Sequence, residues 1–387
     1  MSVAGSLSTV CVGRRPLVKG MLLAAAGQSM GQPAMGRPLR IGSSMPLTGA
    51  LAAHAQLLAS GARLYVDLVN QRGGVNGARV EFDVLDDGFN PAKAAENCRT
   101  LIMDRDVIAL VLNPGTAQVA AALPMIQETG TPLFGPVTGT PALRKLKIPQ
   151  LFHVRASFRD ELRHIVHHAR TIGVQRMALF HTDDALGKSV LEELQDLLGS
   201  AGSRLAAVAG VPFRDGNIVQ AAKDVWQHQP QAIVVGAAGS NFGKFVAAYR
   251  ALGGAPPQVY GLSVVDPSPL GSEIAGAARG VVLTQIMPSA RSTVVPIVRE
   301  YREALAKARP GAEPTVLELD AFVSAKILIE GLRRAGRNPT RAGLVSALEA
   351  LGRYDAGGYV VTYSRENHSG STFVDLAIVG SNGKLQY

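Results

Sequence analysis

Short hydrophobic runs alternate with longer amphipathic segments through most of the chain. The first unit contains the strand-like run RIGSSM (40–45), the turn PLTGALAAH (46–54) and the amphipathic segment QLLASGARLYVDLVNQ (56–71). A glycine turn then leads to a second strand-like run, RVEFDVLDD (79–87). This order predicts a βαβ unit, in which a ligand binds where the loop leaves the first strand.

The same alternation continues beyond the first unit. Further predicted strands are VIALVLN (107–113), TPLFGPV (131–137), RMALFHT (176–182), QAIVVGA (231–237) and QVYGLSV (258–264). Short apolar strands between amphipathic helices are typical of parallel sheets that are covered on both faces. The pattern therefore predicts an α/β protein with two doubly wound lobes.

Three motifs in the opening unit occur together with a specific spacing. They are PLTG (46–49), NQRGGVNG (70–77) and the acidic pair DD (86–87). The combination resembles the start of the periplasmic substrate-binding proteins of ABC transporters, in the branch that includes the leucine/isoleucine/valine-binding proteins. The resemblance implies the type I periplasmic binding protein fold, with two Rossmann-like lobes joined by a three-strand hinge.

The resemblance also implies how the chain is divided. Lobe 1 is expected at 38–155 plus 288–358, and lobe 2 at 156–287 plus 359–387. The passages between the lobes are expected near His153 to Phe158, Leu283 to Pro288 and Tyr359 to Tyr363. Such a hinge allows the lobes to close over a ligand.

Residues 1–36 have the pattern of an export signal. GRRPLVK (13–19) is basic, and GMLLAAAG (20–27) is an apolar run too short to span a bilayer. Arg14 and Arg15 approximate a twin-arginine signal, and ordinary Sec secretion is an equal alternative. A periplasmic location follows if the host is Gram-negative.

Composition excludes several functional classes. The chain has 387 residues with 47% hydrophobic content, which is enough for two lobes with their own cores. Its formal charge of +9 is dispersed and only 5% of residues are aromatic, so no nucleic-acid surface is indicated.

Cys98 is expected to be a buried thiol. Relatives often carry a disulfide at the places of Phe89 and Gly115, so none is expected here.

The motifs that would indicate catalysis or a cofactor are incomplete. The segment GKS (187–189) lacks the first glycine of a P-loop, and GAAGSNFG (236–243) lacks the spacing of a dinucleotide loop. His164, His167 and His168 have no acidic residue among them and are interpreted as a solvated helix face rather than a metal site. We therefore predict no catalytic residue, no metal and no cofactor.

Three helix starts are expected to converge on the cleft between the lobes, because helix N-termini and strand carboxyl ends meet at the same edge of such sheets. The candidate ligand contacts there are Thr48, His54, Thr116, Ala117, Val137, Thr138 and Gly139. Backbone N–H groups and hydroxyls at these places suit a carboxylate. Capping or turn chemistry alone is the alternative for each of them.

The resemblance adds three further candidates. Leu186 and Ala238 stand where amino-acid binders carry tyrosines, which implies an apolar and roomy wall in lobe 2. Ser263 stands where those proteins carry the acid that meets the ligand's ammonium, and whether Asp266 replaces it is open. Because a buried ammonium without a counter-charge is costly, a carboxylate ligand without a free amine is favoured.

The predicted function is an exported receptor, monomeric and not an enzyme. It would capture a small carboxylate-bearing solute, such as an amino acid-like compound, an organic or aromatic acid or an amide, and deliver it to an ABC permease in the inner membrane. One alternative is a ligand-sensing regulator of the same fold, although the export signal and the lack of a helix-turn-helix segment weigh against a DNA-binding form. A nucleotide-dependent α/β enzyme is a weaker alternative.

Overall fold

The computed structural model describes residues 36–265, 277–381 and 384–387. The predicted export signal lies outside the described residues except for Gly36, and so does Asp266. Within the described part of the chain, no helix is both long and apolar enough to cross a bilayer.

The described elements follow one another in the alternating order that the sequence predicts. The first group is β1 (Gly36–Met45), α1 (Ala52–Gln71), β2 (Ala78–Asp86), α2 (Pro91–Met103), β3 (Ala109–Val111), α3 (Thr116–Thr129), β4 (Leu133–Phe134), α4 (Pro141–Lys145) and β5 (Leu151–Phe152). The second is α5 (Phe158–Thr171), β6 (Met177–Thr182), α6 (Ala185–Gly199), β7 (Ala207–Val211), α7 (Ile218–Gln227), β8 (Ala232–Gly236), α8 (Ser240–Arg250), β9 (Gln258–Gly261) and β10 (Val282–Gln285). The third is α9 (Pro296–Ala308), α10 (Val316–Arg334), α11 (Arg341–Glu349), β11 (Gly352–Asp355), β12 (Val360–Tyr363), β13 (Asp375–Val379) and β14 (Leu385–Gln386).

Two large sheets form two lobes, as predicted. The first sheet has the order β2-β1-β3-β4-β5, and all its strand pairs are parallel. The second has the order β14-β13-β10-β9-β8-β6-β7 and is parallel except for β13 and β14. The strands β3, β4, β6 and β8 are buried throughout, which explains why they read as continuous apolar runs.

The helix α10 lies in the core of lobe 1 and is buried along most of its length. It packs against α1, and Gly61 permits the close approach, because a Cβ there would collide with the backbone oxygen of Glu318. The thiol of Cys98 is buried, as predicted, and burial raises its pKa to about 12.

The last passage between the lobes differs from the prediction. Tyr359 and Tyr363 do not leave lobe 1 but lie in its core, where the Tyr363 ring packs edge-on against Phe152 with centroids 5.6 Å apart. The backbone of His153 instead pairs with the segment around Gly370, whose N–H donates to the His153 oxygen over 2.8 Å. The chain then enters the second sheet at β13. The predicted boundaries of the lobes otherwise stay a prediction.

A buried ion pair stabilises the first passage. The Arg155 guanidinium pairs with the Asp320 carboxylate of α10, and both side chains are almost fully buried. The backbone oxygen of Arg155 accepts a hydrogen bond of 2.8 Å from the guanidinium of Arg144. The hinge is therefore attached to the centre of lobe 1 by charge and by hydrogen bonding.

We expect Asp320→Asn to lower the free energy of unfolding by about 3–5 kcal/mol, because it leaves the buried Arg155 charge without a counter-charge. Glu313→Gln is the matched control: Glu313 pairs with Arg291 at 2.8 Å in an exposed position. Loss of that pair should cost less than about 1 kcal/mol. Urea unfolding of both variants measures the difference, and equal effects would contradict the importance of the hinge pair.

Candidate ligand-binding site

A cavity of about 240 Å³ lies in the cleft between the two lobes. Its lobe 1 wall comes from the loops and helix starts that follow β1, β2, β3 and β4, and its lobe 2 wall from those that follow β6, β7, β8 and β9. These are the carboxyl ends of parallel strands, where α/β proteins bind ligands. Most of the lining is apolar, with a few polar groups among it.

Seven of the ten predicted contacts line this cavity: His54, Thr116, Ala117, Val137, Thr138, Leu186 and Ala238. Thr48, Gly139 and Ser263 do not. The functional roles of all ten stay predictions, but the geometry brings the first seven together.

Thr48 holds the loop between β1 and α1 in place. Its hydroxyl donates to Oδ2 of Asp86 over 2.7 Å, and its N–H donates to Oδ1 over 3.2 Å. The N–H of Leu47 donates to the same Oδ1 over 2.8 Å. The PLTG and DD motifs are thus in contact, and Asp86 of the DD motif holds the loop that contains PLTG.

Gly139 allows Phe158 to pack closely against the backbone at the hinge. Its carbonyl accepts a hydrogen bond of 2.7 Å from the N–H of Phe158, the first residue of α5. A Cβ at Gly139 would lie 2.5 Å from Cδ1 of Phe158, so only glycine allows this contact. The next residue, Thr140, contacts lobe 2 directly, with its hydroxyl 3.0 Å from that of Ser189.

Ser263 forms hydrogen bonds with an acidic residue of the protein, Glu161. Its N–H and hydroxyl donate to the Glu161 carboxylate over 2.8 and 3.0 Å, and the hydroxyl of Thr284 donates to the same group. Glu161 is fully buried, and burial raises its pKa. The N–H and hydroxyl of Ser263 are therefore already hydrogen-bonded to Glu161. Ser263 does not line the cavity, whereas its neighbour Val264 does.

Two charged residues in the cavity wall were missed from the sequence. Asp184 caps α6, because its Oδ1 accepts hydrogen bonds from the N–H of Gly187 over 2.9 Å and the hydroxyl of Thr182 over 3.0 Å. No other described residue donates a hydrogen bond to its Oδ2. Burial raises the pKa of Asp184. Its place directly after β6 and before α6 was a usable signal.

Arg214 is the second missed residue. It follows β7, is exposed at the cavity, and has no ion-pair partner among the described residues. Nothing in the sequence around it distinguishes it from other basic residues on loops.

The start of α3 supplies the polar end of lobe 1. Gly115 precedes the helix with φ 98° and offers no side-chain cap. The hydroxyls of Thr116 and Thr138 are 2.7 Å apart. Uncapped N–H groups at a helix start, together with hydroxyls, favour a negatively charged or acceptor group.

The glycine and histidine motifs have structural explanations. Gly187 packs against β6, because a Cβ there would collide with the backbone oxygen of Thr182. His164 and His167 are exposed, whereas Nδ1 of His168 lies 2.8 Å from the hydroxyl of Tyr260. The described residues contain no group of three or more potential metal ligands.

Comparison with known proteins decides the family. Residues 38–384 match the periplasmic binding protein family. The chain therefore belongs to the periplasmic binding proteins. A substrate-binding periplasmic protein from Ralstonia solanacearum is 34% identical, with a TM-score of 0.83 over 90% of this chain and 99% of that one.

Two further periplasmic binding proteins are similar to this one. A possible leucine/isoleucine/valine-binding protein from Rhodopirellula baltica has a TM-score of 0.86 and 25% identity over 92% of this chain and 98% of its own. The Leu/Ile/Val-binding protein BraC3 from Rhizobium johnstonii is 22% identical over 80% of this chain and 83% of its own. The predicted resemblance to the leucine-binding branch and the type I fold is confirmed.

We expect Gly115→Ala to destabilise this periplasmic binding protein more than Gly130→Ala. The two glycines flank α3 and both have positive φ, 98° and 63°. A Cβ at Gly115 would collide with Oε1 of Gln118 and lie 2.9 Å from Cε2 of Phe89, whereas a Cβ at Gly130 would meet nothing within 4 Å. Gly130→Ala should cost about 1 kcal/mol and Gly115→Ala about 2–3 kcal/mol or more. Urea unfolding tests this, and equal costs would contradict the packing described.

Proposed function

We propose that this periplasmic binding protein is the extracytoplasmic receptor of an ABC importer. It captures a small carboxylate-bearing solute between its lobes and delivers it to a permease in the inner membrane, without chemical change to the solute. The observation that carries the proposal is the mostly apolar interlobe cavity with polar groups at the helix starts. Its volume of about 240 Å³ suits a small solute.

The carboxylate binds at the lobe 1 wall. Thr116 and Thr138 offer hydroxyls there, and the uncapped start of α3 offers backbone N–H groups. This is the arrangement that favours an anion in a partly buried position.

The lobe 2 wall supports a solute that also carries a hydrogen-bond donor. Ser263 gives no reason to exclude a free amine, because it does not line the cavity and its N–H donates to Glu161. Asp184 lies in the wall, and no other described residue donates a hydrogen bond to its Oδ2, which can accept from an ammonium, an amide N–H or a hydroxyl. We therefore favour a carboxylate that also carries an amine or another hydrogen-bond donor, as an amino acid does, over a simple organic acid.

The solute is retained by lobe closure, and the permease recognises the closed form. Thr140 and Ser189 meet across the lobes, and Nζ of Lys145 in lobe 1 lies 3.8 Å from Glu193 in lobe 2. Closure thus brings surfaces of both lobes into one arrangement that a permease can bind. The basic and apolar N-terminal segment supports export to the periplasm, by the Sec or the twin-arginine route.

A melting-temperature screen with matched solutes tests the proposal. L-leucine and L-phenylalanine should raise the melting temperature more than 4-methylpentanoate and 3-phenylpropionate, which lack only the α-amino group. Leucinamide, which lacks the carboxylate, should have little effect. Failure of all these solutes to raise the melting temperature would contradict the proposed solute class.

The advantage of the amine should depend on Asp184. Asp184→Asn keeps a cap for α6, because asparagine is an equally good cap, but it removes the charge. It should reduce leucine affinity at least about tenfold relative to 4-methylpentanoate. Asp183→Asn is the matched control, since that carboxylate belongs to the preceding residue and lies outside the cavity lining.

Thr116→Val should weaken the binding of a carboxylate solute about tenfold or more, because it removes a hydrogen bond to a charged group while preserving the shape of the side chain. Thr129→Val is the matched control at the other end of α3, where the hydroxyl donates to the Met125 carbonyl over 2.7 Å. Isothermal titration with the best solute of the screen measures both. An unchanged affinity in Thr116→Val would remove this residue from the site.

A further inference from the structure

Two phenylalanines meet across the cleft. Phe89 follows β2 in lobe 1 and Phe213 follows β7 in lobe 2, and their ring centroids are 5.6 Å apart with the planes tilted by 38°. This is within the range in which aromatic rings attract one another. Because the rings belong to different lobes, the contact depends on the lobes being closed.

Lobe 1 holds Phe89 in position by several contacts. Its backbone has φ 60°, which is uncommon for a residue other than glycine. The N–H of Phe89 donates to Oδ1 of Asp87 over 2.8 Å, and its carbonyl accepts from Nε2 of Gln118 over 3.0 Å. Gly115 leaves the space that the ring occupies. Backbone strain that is held by its surroundings is often found at functional positions.

Lobe 2 holds Phe213 through its backbone. The Phe213 carbonyl accepts a hydrogen bond of 2.9 Å from Nδ2 of Asn241 in α8. Both rings are half-buried. The pair is therefore built from two anchored loops rather than from freely moving side chains.

The pair lies between two cavities of different character. The inner cavity is the mostly apolar one of about 240 Å³ described above. Five of its residues also line a second cavity of about 500 Å³, here called the outer cavity: Leu51, Phe89, Phe213, Arg214 and Ala238. The other walls of this outer cavity are mostly exposed and polar, and include Thr48 and Lys244. The two rings thus lie between a mostly apolar cavity and a more polar one.

We propose that Phe89 and Phe213 form an aromatic partition that determines the longest solute the inner cavity accepts and that stabilises the closed form. This rests on the proposed function and adds a specificity determinant to it. A solute whose apolar chain fits the inner cavity allows the two rings to meet. A longer solute must keep them apart and so loses both ring contact and closure.

The length limit can be measured with two homologous series, the straight-chain α-amino acids from alanine to 2-aminodecanoate and the matching unsubstituted carboxylates. For the wild-type protein, affinity should fall about tenfold or more at the first member too long for the inner cavity, which is the usual effect of overpacking. Phe213→Ala and Phe89→Ala should each move that fall to longer members. Val294→Ala, a change at an exposed residue outside both cavities, should leave the limit unchanged.

Closure can be measured without any solute. Spin labels at Met103→Cys and Ile172→Cys report the distance between the lobes, since both positions are more than half exposed. The background needs Cys11→Ser, whereas Cys98 is buried. Phe213→Ala should shift the ratio of open to closed protein about fivefold toward open, the effect expected of one aromatic pair. The Phe89→Ala and Phe213→Ala double variant should open no further than either single variant, because all three remove the same contact.

The outcomes separate the partition from the proposed function. If none of the acids binds the wild-type protein, the proposed solute class fails, and the partition is judged by the distance measurement alone. If acids bind but Phe213→Ala keeps the wild-type length limit, the partition is overturned. An unchanged distance distribution in both single variants overturns its role in closure. Phe213→Leu, which keeps an apolar side chain, guards against a general folding defect and should lie between the wild type and Phe213→Ala.

Discussion

The parallel pairing of strands determines where the functional groups of this protein can lie. A parallel pair needs a crossover connection, usually a helix, so both faces of the two sheets are covered and the parallel strands of a lobe end at the same edge. The helix starts collect at that edge as well. When two such lobes face each other, uncapped N–H groups, loop hydroxyls and short turns surround one cleft. The candidate site at Thr116, Thr138 and Asp184 is a consequence of this arrangement rather than an addition to it.

The hinge adds electrostatics to this geometry. Arg155 leaves lobe 1 while its charge remains paired with Asp320 in the core, so the passage is rigidly attached on one side. On the other side, Ser157 and Asp160 form a reciprocal cap at the start of α5. Between them lies a very short segment in which rotation of the lobes can occur. The proposed closure would then be a movement of two firm bodies about this segment.

Much of this could be predicted from the residues. The alternation of apolar runs and amphipathic helices gave the α/β lobes, and the PLTG and DD motifs gave the family. The cavity residues found in advance, such as Thr116 and Leu186, are those at strand ends or at places a family motif identifies. Ser263 shows the limit, because only the folded chain brings Glu161 to it from a distant helix. Tyr363 was predicted to lie in a passage between the lobes but lies in the core of lobe 1, because a β pattern does not show which sheet a strand joins.

The contact between Phe89 and Phe213 depends on how the two lobes meet, and local pattern carries little information about that. Nothing in the sequence distinguishes Arg214, whereas the place of Asp184 between β6 and α6 was a usable signal. In our proposals, Asp184 and the phenylalanine pair determine what the cleft accepts. In the proposed function, a small solute binds both lobes at once and closes them. Hydrogen exchange of the protein with and without L-leucine can detect this. We expect slower exchange at residues 114–118 in lobe 1 and at residues 184–187 and 213–214 in lobe 2. Protection confined to one lobe, or to surfaces away from the cleft, would contradict it.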